Sequence, residues 1–141
     1  MVHQLAIATG MVLLTVMIHG AGLMLLMRLL RIELHEEAVM HLPAFSARTL
    51  AFVLALALGL FALHGLEIWA YGLLYLWLGA LPDLETAIFF STITYSTVGY
   101  DDQGFVHSWQ LVAAIEAING VILLGWSTAF FFTIMTRLLR G

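Results

Sequence analysis

The stretch Pro82-Asp-Leu-Glu-Thr-Ala-Ile-Phe-Phe-Ser-Thr-Ile-Thr-Tyr-Ser-Thr-Val-Gly-Tyr-Asp-Asp102 decides the fold. Its first residues signal a helix start. Asp83 stands at the N-cap and Glu85 in the first turn, where the helix dipole favours negative charge. A helix from Leu84 to about Ser96 is roughly 19 Å long at 1.5 Å per residue, too short to cross a hydrocarbon core of about 30 Å. It carries Ile88, Phe89, Phe90 and Ile93, so it enters the membrane and stops partway. The Thr94-Tyr-Ser-Thr-Val-Gly-Tyr-Asp-Asp102 run that follows is non-helical backbone at membrane depth. Such backbone is tolerated only where it is buried in protein or lines a watery path. A Thr-Val-Gly-Tyr strand there turns carbonyl oxygens toward a dehydrated cation, and the C-terminus of the helix aims its partial negative charge at the same place.

The rest of the chain is built for the same solvent. Of 141 residues, 62% are hydrophobic and 10% charged, against roughly 25% charged in an average soluble domain. The mean hydropathy of +1.02 leaves too little polar surface to wrap a soluble core. The net charge of -4 offers no basic face for nucleic acid. With no cysteine there is no disulfide, thiolate zinc site or thioether-linked haem, and the redox compartment cannot be read.

Leu5 to Met27 contains no formally charged residue, only His19, and is long enough to span. Met1-Val-His-Gln4 lacks the basic region of a cleaved signal, so this segment is expected to be a retained helix. Thr49 to Leu81 is too long for one crossing. Trp69, Tyr71, Tyr75 and Trp77 read as an aromatic belt that places the hydrocarbon near Thr49 to Ile68, with Gly79 and Pro82 ending the helix. A third span covers about Trp109 to Met135, interrupted by Glu116 and Asn119. The five arginines, Arg28, Arg31, Arg48, Arg137 and Arg140, then fall on one side. The positive-inside rule makes that side the cytoplasm, with the N-terminus outside in a multi-pass cell (plasma or inner) membrane protein. The chain divides into an N-terminal membrane helix (1–31), a cytoplasmic loop (32–47) and a third part (48–141) holding the short helix between two spans. One residue follows Arg140, so no cytoplasmic ligand-binding domain is expected. In the loop, His35, Glu37 and His41 read as part of a solvated face, with a metal site as the alternative.

On its quoted residues the chain resembles the pore domain of tetrameric potassium channels. That family orders outer helix, pore helix, filter and inner helix in this way, with a filter of the form Thr-Val-Gly-Tyr-Gly-Asp. The likeness runs from about Arg48 to Arg140, and Thr97, Val98, Gly99, Tyr100 and Asp102 match the filter. It implies an all-α membrane protein with three spans and a re-entrant pore helix. The backbone carbonyls of Thr97, Val98, Gly99 and Tyr100, with the Thr97 hydroxyl, would coordinate K⁺ as the permeant ion. Each chain supplies one strand, so a ring of carbonyls implies a homotetramer embedded in lipid. No enzyme chemistry, cofactor or metal beyond K⁺ is implied.

Asp101 stands where the family has a glycine. A backbone with positive φ costs an L-residue about 1–3 kcal/mol, and Asp101 with Asp102 would put eight carboxylates around a tetrameric mouth. A weakly selective cation channel is therefore one alternative reading, and a non-conducting subunit that kept the pore fold is another. Some family members brace the filter with an acid late in the pore helix. Ile93 stands there, which leaves Tyr95 or Glu116 for that work. Glu116 is expected either to hold the back of the filter or to sit paired between helices. Asn119 is expected to join helices, and Gly120 and Gly125 either pack closely or bend the inner helix. Ser127 and Thr128 face the cavity or bond to their own helix. His64 and Glu67, three apart near the outer interface, form a local hydrogen bond with pH sensing as the alternative. Nothing around His19 and His64 strengthens the case for haem between them.

Overall fold

The computed structural model describes residues 1–30, 46–99 and 105–140. Among the described residues four helices carry the fold: α1 (Val2–Leu29), α2 (Ala47–Trp77), α3 (Leu84–Tyr95) and α4 (Gln110–Arg140), with a 3₁₀ turn, His107–Trp109, leading into α4. Three of them are long and apolar enough to cross a membrane. The fourth, α3, has 12 residues, about 18 Å at 1.5 Å per residue. The expected loop residues His35, Glu37 and His41, the arginine Arg31, and Tyr100, Asp101 and Asp102 lie outside the described residues.

The ends of α2 and α3 follow local chemistry. Ser46 caps α2, its hydroxyl accepting the Thr49 N–H at 3.1 Å. Asp83 caps α3, its carboxylate accepting the Thr86 N–H at 2.9 Å and the Thr86 hydroxyl at 2.8 Å. At the other end of α2, Gly79 takes φ 63°. The Ala80 N–H returns to the Tyr75 carbonyl and the Gly79 N–H to that of Leu76, a Schellman closure in which glycine fits the left-handed position.

Because the long helices are apolar all round, their polar residues reveal which face is inside. On α1 the buried line is Ala8, Met11, Thr15, His19 and Leu23; on α2 it includes Leu63, Glu67, Tyr71 and Tyr75. On α4 Val112, Glu116, Asn119, Leu123 and Ser127 turn inward. Each line repeats every three or four residues, one face of a 3.6-residue helix. Helix α3 is held between α2 and α4, and α1 packs against both α2 and α4. The first helix thus shares the buried core with α2 and α4.

The end of the bundle where α2 turns into α3 is closed by aromatic rings. Phe90 and Phe105 stack at 4.5 Å, and Tyr75 meets both edge-on at 5.5 and 5.4 Å, an arrangement worth about 0.5–1.5 kcal/mol per pair beyond burial. The expected aromatic belt is therefore only half a belt. Trp69 and Trp77 are exposed, but Tyr71 and Tyr75 are fully buried, because their hydroxyls find polar partners on α4.

Candidate functional site: the end of the short helix and its supports

Helix α3 ends at the residues expected to form a filter. Its final turn is a second Schellman closure: the Val98 N–H donates to the Ile93 carbonyl at 3.1 Å and the Thr97 N–H to the Thr94 carbonyl at 3.1 Å. Thr97 occupies the left-handed position, at φ 58°. A β-branched residue is strained there, at a cost of roughly 1–2 kcal/mol. Where a strand was expected, Thr97 and Val98 belong to the turn that closes the helix. Thr97, Val98 and Gly99 are exposed, Val98 by 80%. No hydrogen bond among the described residues reaches their carbonyls.

Beside this turn lies a cavity of about 570 Å³, lined by Ile93, Thr94, Thr97, Gly99, Ala113 and Ala117 among others. The Thr94 hydroxyl is buried and has no hydrogen-bond partner among the described residues. Along α4 a stripe of Ala114, Ile118, Val121, Gly125, Thr128 and Phe132 is uncovered, again at spacings of three and four. Thr128 turns its hydroxyl back to the Leu124 carbonyl at 2.8 Å.

Behind α3 lie three polar layers, two of which fasten it. Glu116 accepts hydrogen bonds from the Tyr75 and Ser91 hydroxyls, joining α4 to α2 and α3. Ser91 also contacts the Ile68 carbonyl at 3.0 Å. Asn119 donates to the Thr15 hydroxyl at 2.7 Å and to the Tyr71 hydroxyl at 3.3 Å, joining α4 to α1 and α2. The deepest layer is the largest. Glu67 bonds His19 Nδ1 at 2.8 Å and His64 Nδ1 at 3.1 Å, and accepts from the Tyr95 hydroxyl. Ser127 Oγ lies 2.9 Å from His64 Nε2 and 3.4 Å from His19 Nε2.

These placements refine the expectations. The His64–Glu67 bond exists, but Glu67 is fully buried against the middle of α1 rather than lying at an outer interface. Ser127 neither faces a cavity nor bonds to its own helix; it joins the two histidines. Glu116 and Tyr95 both hold α3, one through Ser91 and the other through Glu67. Gly120 lies so close to α3 that an added Cβ would run into the Tyr95 carbonyl, whereas Gly125 faces open space. The part of His19 and Tyr95 in a single network escaped the sequence, since their partners lie 48 and 28 residues away. The signal available was that every ionisable residue within a span needs a partner.

No curated protein and no solved structure matches the chain. Residues 49–137 match a family described as "Ion channel". That segment is well over half of the chain and runs from the first turn of α2 through the short helix to the last turns of α4, so the protein belongs to this family of membrane ion channels and is not an enzyme.

Proposed function

We propose that the protein is a passive potassium-selective channel, assembled from four copies around a pore axis. The Thr97, Val98, Gly99 and Tyr100 carbonyls replace the hydration shell of K⁺, and neighbouring ions repel each other onward. One observation carries the reading. A half-length helix delivers Thr97-Val98-Gly99 at its C-terminus, exposed and with their carbonyls unclaimed among the described residues. Bare backbone at that depth needs surrounding protein or a water-filled path, and copies of the same chain supply both. The Thr94 hydroxyl and the open cavity beside it lie on the face that such copies would meet. The uncovered stripe on α4 then lines the path below the filter. With Arg28, Arg48 and Arg137 near the helix ends remote from α3, the N-terminus lies outside and the C-terminus in the cytoplasm.

The second reading is a channel that admits Na⁺ as well as K⁺, favoured by Asp101 in the fifth filter position. Flux from proteoliposomes holding a K⁺ gradient, with Na⁺ replacing K⁺ in a parallel set, separates the two. K⁺ flux far above Na⁺ flux supports the selective channel, and equal fluxes support the second reading. Absence of both from verified tetramers sinks the conducting proposal and leaves a non-conducting subunit.

A further inference from the structure

The deepest polar layer contains a closed ring of hydrogen bonds. Starting at Glu67 Oε1 it passes to His19 Nδ1 (2.8 Å), from His19 Nε2 to Ser127 Oγ (3.4 Å), from Ser127 to His64 Nε2 (2.9 Å), and from His64 Nδ1 back to Glu67 Oε2 (3.1 Å). Four contacts need four hydrogens. A carboxylate brings none, the serine hydroxyl one, and each neutral imidazole one. The ring is therefore one proton short unless an extra proton is bound. With that proton, every contact has one donor and one acceptor. The charge of the ring is then zero, whether the proton is written on Glu67 or on His19.

Burial makes this count matter. His19 and Glu67 are fully buried and the His64 side chain is 12% exposed. Without the extra proton, two acceptors face each other in the interior and a net negative charge remains, both costly away from water. A metal ion is a poorer occupant, although the ligand atoms of His19, His64 and Glu67 lie within 4.8 Å of one another. A tetrahedral ion about 2.1 Å from its donors holds them roughly 3.4 Å apart. The His19–Glu67 separation of 2.8 Å is that of a shared proton.

The ring also has an output. Tyr95, the last residue of α3, donates to Glu67 Oε2 and lies 2.9 Å from His64 Nδ1. Two residues later comes Thr97, the first residue of the filter. We propose that one proton, shared among Glu67, His19 and His64, locks α1, α2 and α4 onto the end of the short helix, and that its loss as pH rises releases Tyr95 and closes the conducting filter. The coupling rests on the channel reading above; the proton count does not.

The groups facing the ring from each packed element are His19 on α1, His64 and Glu67 on α2, Tyr95 on α3, and the uncharged Ser127 and Trp126 on α4. Tyr71 and Glu116 lie beyond them, close enough to act on Tyr95 electrostatically. His64 is the least buried member of the ring, its side chain 12% exposed, and in this proposal it is the route by which the proton leaves.

The test uses full-length protein in lipid nanodiscs with ¹⁵N-labelled histidine, followed by NMR from pH 5 to 10, with H19Q and H64Q giving the assignments. The exposed His3 and His107 serve as internal references. The expected result is one proton lost from Glu67, His19 and His64 as a unit, the two histidine signals and the Glu67 carboxyl carbon, followed through a ¹³C label, changing at the same pH. Neutral His19 and His64 beside an ionised Glu67 at every pH from 5 to 10 would overturn the ring. In proteoliposomes, K⁺ flux should fall at least fivefold across the pH at which the ring proton leaves. Y95F leaves the four ring contacts intact and removes the link to α3. It should keep the NMR titration and lose the pH step in flux. A Y95F profile identical to wild type overturns the coupling. A wild-type protein that conducts at no pH overturns the channel reading and the coupling together, while the NMR result still decides the ring.

Discussion

Gly120 and Gly125 both lie on the last helix, and one methyl group added to each should have opposite effects. At Gly120 an ideal Cβ would fall within 2.9 Å of the Tyr95 carbonyl carbon and 3.0 Å of its Cα, and closer still to the oxygen. All three are backbone atoms of α3, so no side chain can swing aside; α4 has to move away from the short helix. Overpacking of that kind costs about 1–3 kcal/mol. At Gly125 nothing lies within 4 Å, and alanine in a helix interior is better than glycine by about 0.8–1 kcal/mol. The propensity gain applies equally to Gly120→Ala and cancels in the comparison. G120A should therefore unfold about 1–3 kcal/mol more easily than G125A. The assay is reversible unfolding of the helical bundle in mixed detergent micelles, followed by circular dichroism, with K⁺ flux in parallel. Flux in G120A should fall with stability, since Tyr95 is two residues from the filter. A G120A protein as stable as G125A, with flux impaired, would refute the packing argument and make Gly120 a bending point.

Thr97→Gly removes a β-branched side chain from a left-handed position. The strain relieved is roughly 1–2 kcal/mol and the added chain entropy roughly 0.5–1 kcal/mol, so unfolding should show no loss and a gain of up to about 1.5 kcal/mol. K⁺/Na⁺ discrimination should fall because the Thr97 hydroxyl is gone, and a clear loss of stability would argue against the strain. A double-mutant cycle of Thr15→Val with Asn119→Leu should give a coupling of about 0.6–1.7 kcal/mol, the range for hydrogen bonds between membrane helices; additive effects would deny the bond. Asp101→Gly should sharpen K⁺ over Na⁺ and weaken block by Ba²⁺ in flux assays, and unchanged values of both would dismiss Asp101 as a selectivity element. Hydrogen bonds from the Thr86 N–H and hydroxyl hold the Asp83 carboxyl below its ordinary value. A depressed pKa contributes stability above the unfolded value of about 3.9, lost as pH falls through the folded one. Exchange of the Thr86 amide, measured by NMR, should therefore accelerate below about pH 4, and D83N should flatten that dependence.

The short helix was the most legible part of the chain. Asp83, Glu85 and the run of twelve residues to Tyr95 state its start and its length, and length alone forbids a crossing. The long helices were legible as spans for the opposite reason, an excess of apolar residues. That same excess hid their orientation in the bundle, because a helix that is apolar all round has no amphipathic face to read. Tyr71 and Tyr75 illustrate the consequence. By composition and position they belong to an interfacial belt with Trp69 and Trp77. What turns them inward is the presence of Asn119 and Glu116 on a helix more than 40 residues away. The turn at Thr97 is not legible in the sequence, because Thr and Val carry β propensity and a Schellman closure without glycine has no sequence signal.

The first helix lies outside the segment that matches the channel family, yet it carries one partner in each of the two deeper layers, Thr15 in one and His19 in the other. In hydrocarbon, apolar packing gives helices little reason to choose one neighbour over another, since lipid tails are as apolar as leucine. Directional hydrogen bonds supply the choice. Thr15 and His19 are one turn apart on the same face; Thr15 shares Asn119 with Tyr71 and His19 bonds Glu67, and Tyr71 and Glu67 are one turn apart on α2 running the other way. Sliding α1 by one residue along its axis, about 1.5 Å with a rotation of about 100°, would break both sets at once. The register of α1 is therefore set by two polar contacts and filled in by leucines such as Leu23, Leu60 and Leu63. A helix fixed so closely against Glu67, the residue that holds Tyr95, is placed to support the end of the short helix, and with it the proposed filter, from behind, a position that a loosely attached accessory span would not occupy.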